Sequence, residues 1–200
     1  MSEPYYESPL AHVAEPPGLY VSIREIPDRG MIDLRGLPGD NGFMAAARQV
    51  LGVDLPTRPR TSVSWGDIKV LWLSIDQWLI LCPRAKAPEV IASLKEALRG
   101  IHSLVVDVSD MRAIIRIEGD GMREVLMKGC SLDLLSGDYG AGTVRRMRFA
   151  EIAALLHVIE EDICDIYVFR SYASYAWDYL QATAREPSRV RLFGKQAAPV

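Results

Sequence analysis

The sequence predicts an α+β fold, built as split β-α-β, ferredoxin-like units with their helices packed on mixed sheets. Three observations carry this. Apolar residues recur with a period of two in some stretches and of three to four in others, and the two patterns interleave along the chain as successive β-α-β groups. Helix-patterned stretches stop at Gly52, Gly100 and Gly129, where glycine tolerates the left-handed backbone that ends a helix. The 200 residues are 49% hydrophobic and 24% charged, a composition that folds and at this length buries a core without disulfides or metal.

Leu19, Val21 and Ile23 alternate with polar neighbours as a half-buried strand does, and 31–34 reads as its partner strand. After the turn at Arg35-Gly36-Leu37-Pro38-Gly39, Asp40 or Asn41 caps a helix ending at Leu51, with Phe43, Ala46, Ala47, Val50 and Leu51 on one face. The stretch 63–83 is rich in β-branched and aromatic residues, and the polar break Asp76-Gln77 divides it into two strands. Pro88 opens a helix whose Val90, Ile91, Leu94, Ala97 and Leu98 face inward. Residues 104–108 are a strand, and in the next one Ala113, Ile115 and Ile117 alternate with Arg112, Ile114 and Arg116. Asp120 caps a short helix ending at Gly129, 136–142 form a glycine-rich loop, and strands follow at 144–149, 152–159 and 163–170. The last helix starts at Ser171 and runs to Ala184. Residues 1–18, with four prolines, read as an extended arm. Residues 19–184 form the globular region, with two small subdomains meeting near 100–110, and 185–200 form a mobile or partner-bound tail.

The charge balance, 23 basic against 26 acidic residues, gives no reason to expect nucleic acid. Acidic residues stand where a signal peptide carries basic ones, no apolar run reaches membrane-spanning length, and the dispersed Cys82, Cys130 and Cys164 fit a reducing compartment, so a cytoplasmic protein is expected. His12, His102 and His157 have no metal-ligand spacing, so no metal site is expected. The loops at 36–42 and 137–142 match neither the P-loop nor the dinucleotide fingerprint, so they read as turns and no cofactor site is expected. No catalytic residue is assigned. Asp107 and Asp110, at a strand end, read as turn-forming. The last helix is assigned a core stripe of Tyr172, Tyr175, Ala176, Tyr179 and Leu180. Trp177 lies about 140° around from Tyr172, so Ala173, Trp177 and Ala184 make a second apolar face. That face needs a neighbour within this chain or on a partner subunit, and the enrichment of Trp at interfaces makes a partner anchor the expectation.

Several motifs then act together: Arg35-Gly36, Leu51-Gly52 with Leu55-Pro56, 76–81 (DQWLIL), 105–110 (VVDVSD), Lys128-Gly129-Cys130 with Leu132-Asp133-Leu134, and Arg170-Ser171-Tyr172-Ala173. Their order and spacing resemble the gamma-subunit family of heterotetrameric sarcosine oxidase from about residue 8 to 186. The resemblance implies a non-catalytic cytoplasmic subunit that supports assembly with alpha, beta and delta subunits. That complex oxidatively demethylates sarcosine to glycine with oxygen and tetrahydrofolate, and FAD, FMN, NAD and tetrahydrofolate are expected in the partner subunits. A broader similarity, through Asp107-Val108-Ser109-Asp110 and 115–127, is to the folate-dependent aminomethyltransferases of the glycine cleavage system. It implies an aminomethyltransferase-like fold. It also supplies the alternative function, a tetrahydrofolate-binding protein of that type, although Arg145-Arg146-Met147-Arg148-Phe149-Ala150 replaces the segment that would present an acid to folate, and Glu151 is not given that role.

Overall fold

In the computed structural model, residues 6–15 and 17–191 are described. The elements run β1 (Ser22–Glu25), β2 (Arg29–Gly36), α1 (Asn41–Leu51), β3 (Ser62–Trp65), β4 (Ile68–Ser74), β5 (Gln77–Pro83), α2 (Ala87–Ala97), β6 (Ser103–Asp107), β7 (Arg112–Glu118), α3 (Met122–Met127), β8 (Val144–Phe149), β9 (Ile152–Glu160), β10 (Ile163–Phe169) and α4 (Ala173–Thr183). They form two five-stranded sheets, one in the order β1-β7-β10-β9-β8 and the other β3-β4-β5-β2-β6.

The two orders are one topology used twice. β2-α1-β3-β4-β5-α2-β6 traces the second sheet, and β7-α3-β8-β9-β10-α4 traces the first in the same way, but its remaining position, beside β7, is filled by β1 from the other end of the chain. Tyr20 N donates to Ala184 O at 3.1 Å where β1 arrives beside the end of α4. The α+β class and its split units are therefore present. The pairings, expected to be mixed, are all antiparallel, because β5 inserts between β2 and the parallel-running β4, and β10 does the same between β7 and β9.

Alternation gives each sheet two buried faces. Ile32, Leu34, Trp78, Ile80 and Val105 pack against Phe43, Ala47, Leu51 and Leu94 of α1 and α2. Ile115, Ile117, Leu156, Cys164, Ile166 and Val168 pack against Val125, Leu126, Ala176 and Leu180 of α3 and α4. The opposite faces meet each other through Met31, Leu71, Leu79 and Leu81 on one side and Ile114, Val144, Leu155 and Tyr167 on the other. The result is a helix-sheet-sheet-helix stack, and each fully buried Leu or Ile in it contributes roughly 1.5–3 kcal/mol of transfer free energy.

Local chemistry explains the ends of α1. The Asp40 carboxylate accepts from the amides of Gly42 (2.8 Å) and Phe43 (3.1 Å), and Gly52 closes the helix at φ +73°. Other expected elements differ. β1 and 31–34 are not partners, since β2 belongs to the other sheet; alternation specifies a face, not a neighbour. Residues 62–83 hold three strands, the extra turn falling at Gly66-Asp67. Asp120 does not cap α3, whose first residue follows Gly121 with no side-chain cap, and a short 3-10 turn at Arg170–Tyr172 precedes α4 in place of a Ser171 cap.

The assigned faces of α4 are reversed for Trp177, Tyr172 and Tyr175. Ala173, Trp177 and Ala184 are 1%, 2% and 0% exposed, inside the core between α4 and the first sheet. Tyr172 and Tyr175 are 47% and 41% exposed. The helix sits on one sheet, so Trp177 joins Ala176 and Leu180 facing it, while Tyr172 and Tyr175, whose hydroxyls favour water, take the outer side, and Tyr179 packs half-buried against Phe149 as its place in the stripe predicts. The three residues expected to anchor a partner are thus part of this chain's own core. The arm lies on the same body: Leu10 is buried in that core, Arg170 donates to Glu7 O, and the Tyr6 ring stacks on Arg84. Residues 185–191 are docked too, contrary to a mobile or partner-bound tail. Glu124 accepts from the amides of Val190 (2.6 Å) and Arg191 (3.1 Å), while Lys128 donates to Thr183 O and Ser188 O. The expectation for 192–200 lies outside the described residues.

Candidate functional site

Polar side chains gather where two sheets meet, which alternation makes unavoidable once strands carry charge on that face. On β7 the inner face reads Arg112, Ile114, Arg116; on β10 it reads Asp165, Tyr167; on β9, Leu155, His157. At one end, Arg116 donates to Asp165 from Nε (2.7 Å) and Nη2 (3.0 Å), a two-pronged pairing that suits the planar guanidinium. Asp165 is 4% exposed. The hydrogen bond to Asp165 holds Arg116 above its usual pKa, whereas burial pushes the neighbouring Lys69 down.

His157 lies across the β9–β10 pairing from Asp165. Its Nε2 is 2.9 Å from Ser62 Oγ, and its buried Nδ1 has no hydrogen-bond partner. Burial lowers its pKa to about 4. The folded protein therefore holds a neutral imidazole at pH values where the unfolded chain, at about 6.5, has begun to protonate. The associated stability is complete above about pH 6.5 and is lost as pH falls from there toward 4, by up to roughly 3 kcal/mol. Urea unfolding at pH 7.5 and 5 is expected to show this loss in the parent and a much smaller one in His157→Gln. An unchanged pH dependence in the variant would assign the effect elsewhere.

At the other end of the layer, Gln77 Nε2 donates to both Asp33 oxygens (2.9 and 3.0 Å), and Arg146 Nη2 donates to Gln77 Oε1 (3.0 Å). Here the sheets open into a cleft of about 260 Å³, lined in part by Leu73, Arg112, Arg146, Leu155, Tyr167 and Phe169. The Arg112 guanidinium lies 5.3 Å from the Phe169 ring centre. Burial pushes the Arg112 pKa down, and the charge of Arg146 adds to that shift.

The other residues singled out in the sequence are not brought together. Asp107 accepts from Ser109 N (2.9 Å) and Ser109 Oγ (2.5 Å), a turn-forming role, while Asp110 pairs with Arg84 at 2.6 Å. His12 and His102 lie outside the inter-sheet layer, and burial raises the pKa of all three cysteine thiols. Some amides of both glycine-bearing loops are bonded within the chain: Gly42 and Phe43 to Asp40, Gly142 to Val158 O, and Thr143 to Gly140 O. The inter-sheet residues Arg112, Arg146, Gln77, Asp33 and Asp165 were not singled out. The available signal was Ile114 between two arginines, an apolar residue on the face otherwise read as solvated.

Residues 35–186 match the sarcosine oxidase, gamma subunit family. The chain belongs to this family. It is 32% identical over 157 residues to the sarcosine oxidase subunit gamma of Corynebacterium sp. strain P-1, covering 74% of this chain and 75% of that one. Among solved structures, it is similar to a chain of the heterotetrameric sarcosine oxidase from Corynebacterium sp. U-96, determined in complex with pyrrole 2-carboxylate. The TM-score is 0.83 at 28% identity, over 92% of this chain and 97% of that one. Aminomethyltransferase T of the glycine cleavage system from Bartonella henselae shares the fold, with a TM-score of 0.61 at 16% identity, over 81% of this chain and 45% of that one. The span matched to the gamma subunit family contains both arginines of the cleft and all of α4 but excludes β1. Among the described residues, no helix is long and apolar enough to cross a membrane.

Proposed function

We propose that this chain is a non-catalytic gamma subunit of a heterotetrameric sarcosine oxidase. In this reading it supports the assembly, with alpha, beta and delta subunits in the cytoplasm, of the complex that oxidatively demethylates sarcosine to glycine with oxygen and tetrahydrofolate. The observation that carries the reading is the similarity, over 92% of this chain, to a chain of a heterotetrameric sarcosine oxidase. FAD, FMN, NAD and tetrahydrofolate are assigned to the partner subunits. At the start of α1, where a cofactor phosphate would be cradled, the amides of Gly42 and Phe43 already donate to Asp40. What this chain supplies is a rigid, closely packed body with outward-facing groups such as Phe169, Tyr172 and Tyr175, residue types suited to a subunit interface.

Co-expression with the three partner subunits, one of them tagged, tests this. The expected result is recovery of a four-subunit complex with sarcosine-dependent oxygen uptake, and at least a tenfold loss of assembled complex when this chain is omitted. The chain alone is expected to be colourless and to give no heat on calorimetric titration with tetrahydrofolate. Stoichiometric folate binding by the isolated chain would instead favour the aminomethyltransferase-like alternative.

A further inference from the structure

The cleft at the Arg146 end of the inter-sheet layer holds two cations and no anion of its own. Arg112 and Arg146 both line it, and among the described residues neither forms an ion pair within 4.0 Å. The nearby acid, Asp33, has both oxygens engaged by the Gln77 amide, and Arg35 stands 3.8 Å from it. Two like charges in one cleft oppose each other, and the charge of Arg146 adds to the burial that lowers the Arg112 pKa. An anion seated between them would relieve that repulsion. The remaining wall narrows the choice. Leu73, Leu155 and Phe169 are apolar and Tyr167 is the one further polar side chain, too few donors for the remaining oxygens of a phosphate, whereas a carboxylate needs only the two guanidinium groups and presents an apolar body to that wall. About 260 Å³ accommodates a fragment of one ring.

We propose that this cleft binds a carboxylate carried on an apolar or aromatic body, with the anion between Arg112 and Arg146 and the body against Leu73, Leu155 and Phe169. The carboxylate comes either from a free small acid or from a side chain of a partner subunit. Both present the same chemistry to the two arginines. A free acid as ligand is independent of the assembly role, whereas a partner's carboxylate as ligand rests on it.

Calorimetric titration of the full chain with benzoate, with benzyl alcohol and inorganic phosphate as comparison probes, tests the site without any partner. Saturable benzoate binding is expected, at least tenfold tighter than either comparison probe and weakened at least tenfold in Arg112→Gln and in Arg146→Gln. Because Arg146 is exposed and Arg112 only partly buried, both variants are expected to keep the parent circular dichroism spectrum. Lys95→Gln, on the outer side of α2, controls for loss of charge alone and is expected to bind as the parent does. Absence of saturable benzoate binding, equal binding of benzyl alcohol or phosphate, or parent-like binding by both arginine variants would each overturn the proposal. Repeating the titration on the complex assembled with the parent chain and with Arg112→Gln separates the sources: benzoate binding that depends on Arg112 identifies a free acid as the ligand, and its absence identifies a partner's carboxylate already in place. Failure of the isolated-chain titration leaves the assembly experiment unaffected, so the two readings fall separately.

Discussion

Trp177→Ala is expected to destabilise the isolated chain strongly, not to detach an otherwise intact subunit from its partners. Trp177 is packed with Ala176, Leu180 and the first sheet, and truncating a buried tryptophan costs about 3–5 kcal/mol in transfer and cavity terms. That is a large share of the roughly 5–15 kcal/mol by which a domain is stable. Urea unfolding followed by tryptophan fluorescence and far-ultraviolet circular dichroism measures it. The Trp177 Nε1 hydrogen is buried without an acceptor, so Trp177→Phe removes an unsatisfied donor while keeping most of the volume, and it is expected to cost much less. Tyr175→Ala, on the exposed side of α4, is expected to change stability by no more than about 0.5 kcal/mol. A folded Trp177→Ala chain with nearly parental stability would return Trp177 to the list of interface residues.

The second large effect is expected at the inter-sheet ion pair. Arg116→Met leaves the Asp165 carboxylate buried without its guanidinium, and breaking a buried pair from one side costs about 3–5 kcal/mol. Lys69 is a poor substitute, since burial already disfavours its charged form. Replacing both partners, as Arg116→Met with Asp165→Leu, is expected to recover most of the loss, because the penalty comes from the stranded charge. The four members of this double-mutant cycle, compared by urea denaturation at pH 7.5, give the coupling directly. If the double variant is as unstable as Arg116→Met, cavity formation outweighs electrostatics at this site.

Much of the secondary structure was legible because it is written locally. The Asp40 cap, the Gly52 stop, and the strands at 144–149, 152–159 and 163–170 follow from short-range patterns, and the structure has β8, β9 and β10 in those positions. Pairing was less accessible. The alternation at Val21 and Ile23 shows which way side chains point, but nothing in it says that the adjoining strand is β7, nearly one hundred residues away. The internal duplication was invisible for a related reason: topology repeats, but the residues at equivalent places do not, so Asp33 and Arg116 serve corresponding central strands with opposite charge. The α4 face was misjudged because Tyr counts as apolar in a stripe, although its hydroxyl makes the exterior acceptable. The cleft was missed because Arg112 and Arg146 on strands read as solvated positions. Only the second sheet, packed on that face, shows that they are partly enclosed.

The borrowed strand has a consequence for the order in which the molecule can be made. β2 through β6 are contiguous, so the second sheet and its two helices have every part they need once the ribosome has released the residues up to Asp107. The first sheet cannot close that way. β1 emerges early and must stay unpaired until β7 arrives, and the body it seats on is complete only when α4 has been synthesised and Ala184 can accept the Tyr20 amide. Closing so long a span costs only logarithmically more entropy than closing a short one, so the delay falls on timing more than on final stability. For that interval the nascent chain exposes Val21 and Ile23 beside a finished neighbour, and chaperone capture or mispairing during synthesis has its opening there.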